Sequence, residues 1–512
     1  MPNSSGSCER SSKPRQAVVL IHGIGEQRPM DTLRGFVAAF LHKDTYHSKP
    51  DTLSDSYELR RFKLRRAKAS EVTPGGVNLD WPETDFYEYY WAHQMYGTTV
   101  SHVVTWLRRT LWLGLRIIWL APADYRRLIR LMLVAWGLTL TAIGVLGATA
   151  WWLWTNSANV PAAPAAGAGA LVLFLLFIFQ RALKAVPKWG LGAVLDFAGD
   201  AARYLDVNPK NVARRYDILR GGIALLKKLH EDRDERGDDV IYRYGRIVLV
   251  GHSLGSVIAY DILRHYWGEV NGRIDDVSNI DVNEVEAFNC ATSGSLPDDA
   301  KPYSNANRFR QAQCQLWKNI SDRVPAGKRL RRQDLWRQRA SDEVVAMTPA
   351  GDQPPPDWQP ARWLVSDLIT LGSPLAHAPA LLARGTEELK LKIELRELPI
   401  CPPDRSRHLR PGHFVVDLSA ESERLDDYDI LHHGACFAVT HWTNFWYPND
   451  PVGGPLRAPF GSGIDDVQLP NASRCPVVSH VRYWQPGQGG EWPRLKDILT
   501  DAHGRLLPAC SN

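Results

Sequence analysis

Between Leu131 and Gln180 the chain runs for fifty residues without one charged side chain, bounded by Arg130 and Arg181. A run that long must be enclosed by protein or leave water altogether. The mean hydropathy of −0.28 conceals it, because 23% of the chain is charged elsewhere. Leu131 to Trp154, at about 1.5 Å per helical residue, reaches about 36 Å and exceeds the ~30 Å hydrocarbon core. Ala165 to Phe179 is a second apolar run, lengthened by the small residues before it, and TNSANVPAAP between them reads as a turn. A transmembrane helical hairpin is the expectation; the other readings are a buried core hairpin or one long interfacial helix. Arg126, Arg127 and Arg130 precede the first span, Arg181, Lys184 and Lys188 follow the second, and the loop is uncharged. An integral membrane, multi-pass protein with both ends on the cytoplasmic side follows from the positive-inside rule. Upstream, Trp106 to Ala123 places Arg109 and Arg116 on one helical face among Trp, Leu and Ile. That pattern suits an in-plane amphipathic helix or an ordinary surface helix.

The remainder of the 512 residues is of ordinary globular composition. Sixty-one basic against 56 acidic side chains, with no stripe of cations and stacking aromatics, argue against nucleic acid as a partner. Seven widely spaced cysteines without a CxxC pair exclude a zinc ribbon or a disulfide scaffold and suit a reducing compartment. MPNSSGSCERSSKPRQ has no apolar core of a cleaved signal and reads as a polar tail. Nothing in the sequence fixes an oligomeric state.

Outside the apolar run, strand and helix patterns alternate. QAVVLIHGIGEQ breaks from an apolar strand into a glycine turn, and a helical pattern follows near Met30 to His42. YELRRFKLRR and DFYEYYWAH alternate as strands do. Helical stretches come around Ala193 to Leu205 and Pro209 to His230, and HEDRDERGDD reads as a solvated loop. GRIVLVGHSLGSVIAYDILRHYW is an apolar strand, a sharp turn and an apolar-faced helix. WLVSDLITLGSPLAHA, CFAVTHWTNFWYPNDPVGG and CPVVSHVRYW supply further strands. This order implies an α/β fold on a parallel sheet. The organisation expected is a tail at 1–15, an α/β segment at 16–100, the amphipathic helix and hairpin at 101–190, α/β core at 191–264, a lid or cap insertion at 265–360, and the closing α/β segment at 361–512. The insertion carries a basic middle, from Lys328 to Arg339, that suits anionic head groups or simply solvent.

Gly251-His252-Ser253-Leu254-Gly255 sits between that buried strand and its helix, the context a nucleophile elbow requires. Ser253 would project above the sheet, with helix-start amides facing a developing oxyanion. A serine hydroxyl needs a base, and in elbow enzymes the acid and then the histidine follow in the chain. His480 is the base chosen, over His441 and the His432-His433 pair. Asp450, in YPNDPVGG, is the acid chosen, over Asp465, Asp466 and Asp367, the last of which precedes its strand. His441, within an apolar strand, reads as a core histidine. The oxyanion amides would be those of Leu254 and, from His22-Gly23-Ile24-Gly25, Ile24; His22 is taken as structural.

VVLIHGIG, GHSLGSVIAYDIL, LGSPLA, NFWYPNDPVGGPL and HVRYW, in that order, resemble the DDHD-type intracellular phospholipase branch of the α/β-hydrolase superfamily. The resemblance covers about 100 residues in islands. It implies an α/β-hydrolase fold, a mostly parallel sheet with helices on both faces, here interrupted by the transmembrane hairpin and the lid-like insertion. It also implies hydrolysis of glycerophospholipid acyl esters at a membrane surface without a soluble cofactor, with Ser253, Asp450 and His480 as the triad. The family's last motif reads closer to H-x-R-x-D-Y. His480-Val481-Arg482-Tyr483-Trp484 lacks the acidic residue, so no metal is assigned.

Three functional readings follow. The first is a membrane-anchored serine hydrolase acting on lipid acyl esters, with the bilayer and its lipid as partners. The second keeps the chemistry and takes a thioester or another non-lipid ester. The third is a hydrolase fold reused as a catalytically silent membrane scaffold.

Overall fold

The computed structural model describes residues 15–23, 28–41, 45–53, 59–64, 81–95, 209–271, 302–326, 328–335, 360–403, 415–417, 429–450, 452–470, 479–483 and 492–501, with the single residues Gly144, Trp151, Thr155 and Tyr204. The chain divides into two compact units, one of Met1–Gln94 with Asn208–Asn512 and one of Met95–Val207. In the second unit Gly144, Trp151 and Thr155 are helical and exposed, and the Thr155 hydroxyl donates to the Trp151 carbonyl at 2.9 Å. The remainder of the two apolar runs, the intervening turn and the Trp106 to Ala123 stretch lie outside the described residues. Among the described residues no helix is long and apolar enough to cross a membrane.

The first unit is built on an eight-stranded, mostly parallel sheet. Its strands are β1 (Arg15–Ile21), β2 (Tyr46–Pro50), β3 (Arg60–Leu64), β4 (Thr84–Tyr89), β7 (Tyr244–His252), β9 (Val365–Leu371), β12 (His441–Trp446) and β13 (Asp465–Gln468). Their spatial order is β13-β12-β9-β7-β1-β4-β3-β2. The six from β13 to β4 are parallel, and only β3 and β2, at one edge, pair antiparallel. The central strands read as continuous apolar runs because both faces are covered. Val18, Leu20, Val248, Val250 and Ile369 face α1 (Asp31–Phe40) and a C-terminal helix through Leu33, Phe36, Leu495 and Ile498. The alternate residues Ala17, Val19, Ile247 and Leu249 point the other way and are equally buried. Of the later helices, α2 (Pro209–Glu231) packs on α3 (Leu254–Val270), and α3 lies along β7, β1 and β9.

One expectation needs correction. HEDRDERGDD is not merely a loop. Arg233–Arg236 (β5) and Asp239–Tyr242 (β6) form a hairpin that turns through Gly237 at φ 63°, because Val240 and Tyr242 alternate inward against Val324 and Leu335. Leu330–Arg331 (β8) adds a third strand to that small sheet. Among the described residues the last strand of the main sheet is β13. Of CPVVSHVRYW only Ser479 to Tyr483 are described, beginning with a helical turn at Ser479 and His480, and 475–478 lie outside the described residues. Part of the 265–360 insertion is described, and it packs against the main sheet. Its helix α4 (Pro302–Ser321) lies against β12, burying Phe309, Leu316, Trp317 and Ile320, with Gln313 donating to the carbonyls of Phe437 and Thr440. The rest of the proposed lid lies outside the described residues. Two short strands, β10 (Val415–Asp417) and β11 (Asp429–Leu431), pair antiparallel in a separate small sheet.

Because β1, β7, β9 and β12 are parallel, they all end at one edge of the sheet. The turns after them bring His22-Gly23, Ser253, Gly372-Ser373 and the 447–456 loop together there, at the carboxyl ends where open α/β sheets hold their sites.

Candidate active site

Ser253 is the single residue between β7 and α3, with φ 53° and ψ −129°, a backbone conformation that side-chain-bearing residues rarely take. The surroundings enforce it. The Ser253 N–H donates to the Leu371 carbonyl at 3.0 Å, and its own carbonyl accepts from Ser256 N at 3.0 Å and Ser256 Oγ at 2.5 Å. The Ser373 hydroxyl stands 2.6 Å from that of Ser256 and takes the Leu375 N–H at 3.3 Å. Gly251 and Gly255 are required for contact rather than for torsion. A Cβ on Gly255 would overlap the carbonyls of Ile21 and His22, and one on Gly251 would overlap the Ser256 backbone.

The Ser253 hydroxyl meets His480 Nε2 at 2.9 Å. On the other side of the ring, Nδ1 lies 2.9 Å from Asp450 Oδ2 and 3.1 Å from Oδ1. The three residues chosen from the sequence therefore form one continuous hydrogen-bonded chain across three separate loops. Asp450 is held in place by its loop: Asn444 of β12 donates to the Gly454 carbonyl at 3.0 Å and to Asp466 at 2.7 Å, and accepts from Thr370 at 2.9 Å. Burial alone would raise the Asp450 carboxyl. His480, Tyr483 and the Val452 N–H outweigh that and hold it below the usual carboxylate value.

Leu254 is the first residue of α3, so its N–H has no acceptor within the helix and lies beside Ser253. Ile24 falls outside the described residues. Its neighbour Gly23 abuts the elbow so closely that a Cβ there would come within 2.9 Å of Ser253 Cβ. His22 is buried, its Nδ1–H donating to the Gly23 carbonyl at 2.7 Å while its ring stacks on Trp91 at 5.1 Å. Burial lowers it to about 4, so it stays neutral and serves as a strut. His252 was not singled out by the sequence. Its Nε2–H donates to the His480 carbonyl at 3.0 Å, and its ring stacks on that of His480 at 5.2 Å. Burial first, then the neighbouring His480, depress it to about 3.

The rival residues are occupied elsewhere. Asp367 binds Arg246 at 2.7 Å near the start of its strand, and His441 Nδ1 stands 3.5 Å from the same carboxylate. Asp465 pairs with Arg310 at 3.0 Å and with Arg494. Asp466 takes the N–H groups of Leu456 and Arg457, and the His432 ring accepts the Gly434 N–H at 3.1 Å. Among the described residues no cluster of three His, Cys, Asp or Glu is placed to hold a metal ion.

Tyr483 and Val452 were also missed. Both donate to Asp450, and the only sequence signal for Tyr483 is an aromatic hydroxyl three residues after the histidine. The chain matches no family model, no curated protein and no solved structure, so what the site can do rests on its own geometry.

Proposed function

We propose that this protein is a membrane-anchored serine hydrolase of the α/β-hydrolase type, acting on lipid acyl esters with its catalytic unit on the cytoplasmic side. The observation that carries the reading is the chain Ser253 Oγ–His480 Nε2, His480 Nδ1–Asp450, with distances of 2.9 Å at both links. The elbow backbone at Ser253 and the order serine, acid, histidine support it, as does the resemblance to DDHD-type phospholipases. The uncharged run from Leu131 to Gln180 supports the membrane anchor.

In this mechanism His480 takes the Ser253 proton as Oγ attacks the ester carbonyl. The Leu254 N–H, with Ile24 N–H as its counterpart, receives the oxyanion. His480 then protonates the departing alkoxide, leaving an acyl group on Ser253. Water, deprotonated by His480, attacks that ester and releases the carboxylic acid. Asp450 stays ionised throughout and stabilises the imidazolium.

The test is fluorophosphonate labelling of the intact protein in membranes, compared with Ser253→Ala and His480→Ala. Labelling abolished by the first and strongly reduced by the second is expected. A folded wild type that stays unlabelled in lipid and in detergent overturns the enzyme reading and favours the scaffold. A panel of phospholipids against soluble esters and thioesters then separates the two substrate classes.

A further inference from the structure

The acid of a serine triad has to do two things: remain charged, and hold one imidazole tautomer at one angle. A carboxylate bound only by the histidine can pivot about its Cβ–Cγ bond and do neither well. In this protein the Asp450 carboxylate is held from three sides. Oδ1 accepts the Val452 N–H at 2.8 Å, from two residues further along the same turn. Oδ2 accepts the Tyr483 hydroxyl at 2.7 Å and faces His480 Nδ1 at 2.9 Å.

The direction of the Tyr483 proton is settled by its surroundings. The phenolic oxygen accepts the Tyr447 N–H at 3.2 Å, so its own hydrogen is directed to Asp450. The ring is 1% exposed and lies against Tyr447 at 4.8 Å, His252 at 5.7 Å and, edge-on, His480 at 6.3 Å. Water therefore cannot substitute for the hydroxyl without moving the ring. Room for the contact comes from the turn after β9. Gly372 has φ 56°, and a Cβ there would come 2.9 Å from Tyr483 Cζ and 3.0 Å from Asp450 Oδ2.

One short segment thus serves both ends of the dyad. The helical turn at Ser479 and His480, with Arg482 N–H on the Ser479 carbonyl at 3.3 Å, folds Tyr483 back beneath the histidine three residues before it. Any displacement of this segment moves the base and a donor to the acid together.

We propose that Tyr483 is a positioning residue for the reaction, its hydroxyl fixing the Asp450 carboxylate so that both of its oxygens are committed and the His480 ring is held in line with Ser253. The proposal rests on the serine-hydrolase reading. Tyr483 touches no reacting atom; it acts through Asp450.

Tyr483→Phe keeps the ring and removes only the hydroxyl. The expected result is a fall in kcat of about 10- to 100-fold, the effect of losing one hydrogen bond to a charged group, with KM within about twofold. The rate of fluorophosphonate labelling should fall in parallel. The acid limb of the kcat/KM profile should move up by about one pH unit, because the dyad loses a donor that favours its ionised carboxylate. Thermal unfolding of the same samples, in the same lipid or detergent, checks that the fold is intact. A purely packing role would leave that limb in place whatever happened to stability. Wild-type kcat with an unmoved limb in Tyr483→Phe overturns the proposal while leaving the hydrolase reading intact. Loss of kcat with an unmoved limb overturns it equally. Absence of labelling in folded wild type defeats both.

Discussion

The sheet carries a histidine–aspartate pair at each end of its strands, and the two are connected in opposite ways. At the carboxyl end, His480 and Asp450 are 2.9 Å apart and the free side of the ring reaches a serine. At the amino end, His441 and Asp367 face each other across β12 and β9 at 3.5 Å, but Asp367 also holds Arg246 at 2.7 Å. Arg246 is fully enclosed and bound as well by Asp501 at 3.2 Å, Gln16 at 3.1 Å and Ser366 at 2.7 Å. The residue types are alike; the third partner differs. A hydroxyl beside the imidazole permits proton transfer, whereas a guanidinium beside the carboxylate makes a structural tie. A histidine near an aspartate is thus no evidence of catalysis until the group beyond them is known.

Exchanging carboxylate for amide at each end separates the two uses. On the serine-hydrolase reading, Asp450→Asn is expected to lower kcat by about 10⁴-fold, since the imidazole loses both its orienting acceptor and the charge that stabilises it when protonated. Its unfolding midpoint should move less than that of Asp367→Asn. Asp367→Asn should leave kcat per folded molecule within about twofold and lower unfolding stability by about 2–4 kcal/mol. It removes one partner of a buried cation that keeps a second, Asp501. Denaturant unfolding of the full chain, with turnover measured on the same samples, reads both effects. A large loss of kcat in Asp367→Asn, or a loss of stability alone in Asp450→Asn, would break the contrast.

This contrast was partly readable in the sequence. Ser253 declares itself because a buried strand, two glycines and a helix must meet at one sharp turn. His480 and Asp450 followed from chain order and from the turn chemistry of YPNDPVGG. Asp367 reads from the sequence as preceding its strand; it lies within β9, as the third residue, though toward the amino end. What stayed hidden was set by distance rather than by pattern. Asp501 reaches Arg246 across 255 positions of sequence, and no local period encodes that. Tyr483 lies in a motif that looks like a strand, and only the helical turn at Ser479 and His480 brings its hydroxyl to Asp450. The hairpin at β5 and β6 was masked by its charges, since only Val240 and Tyr242 face inward.

A third buried carboxylate sharpens the comparison, because among the described residues no side-chain donor meets its oxygens and the Met30 and Leu33 amides near it hold it only weakly. Glu88 is 1% exposed near the carboxyl end of β4, paired in register with Leu20 and turned toward the start of α1. Burial raises its carboxyl to about 7; the nearby amides of Met30 and Leu33 offset only part of that. The folded protein therefore keeps a proton that the unfolded chain releases above about 4.5. Its contribution to stability is fully present below that value and is lost as pH rises toward about 7. Glu88→Gln, which cannot ionise, should match wild type near pH 4.5 and exceed it at pH 8 by on the order of 1–3 kcal/mol. Unfolding of both proteins across that range decides the matter. Equal stability at pH 8 would mean that the positive end of α1 supports the ionised carboxylate after all. Glu88 would then be, like Asp450 and Asp367, a charge with a partner.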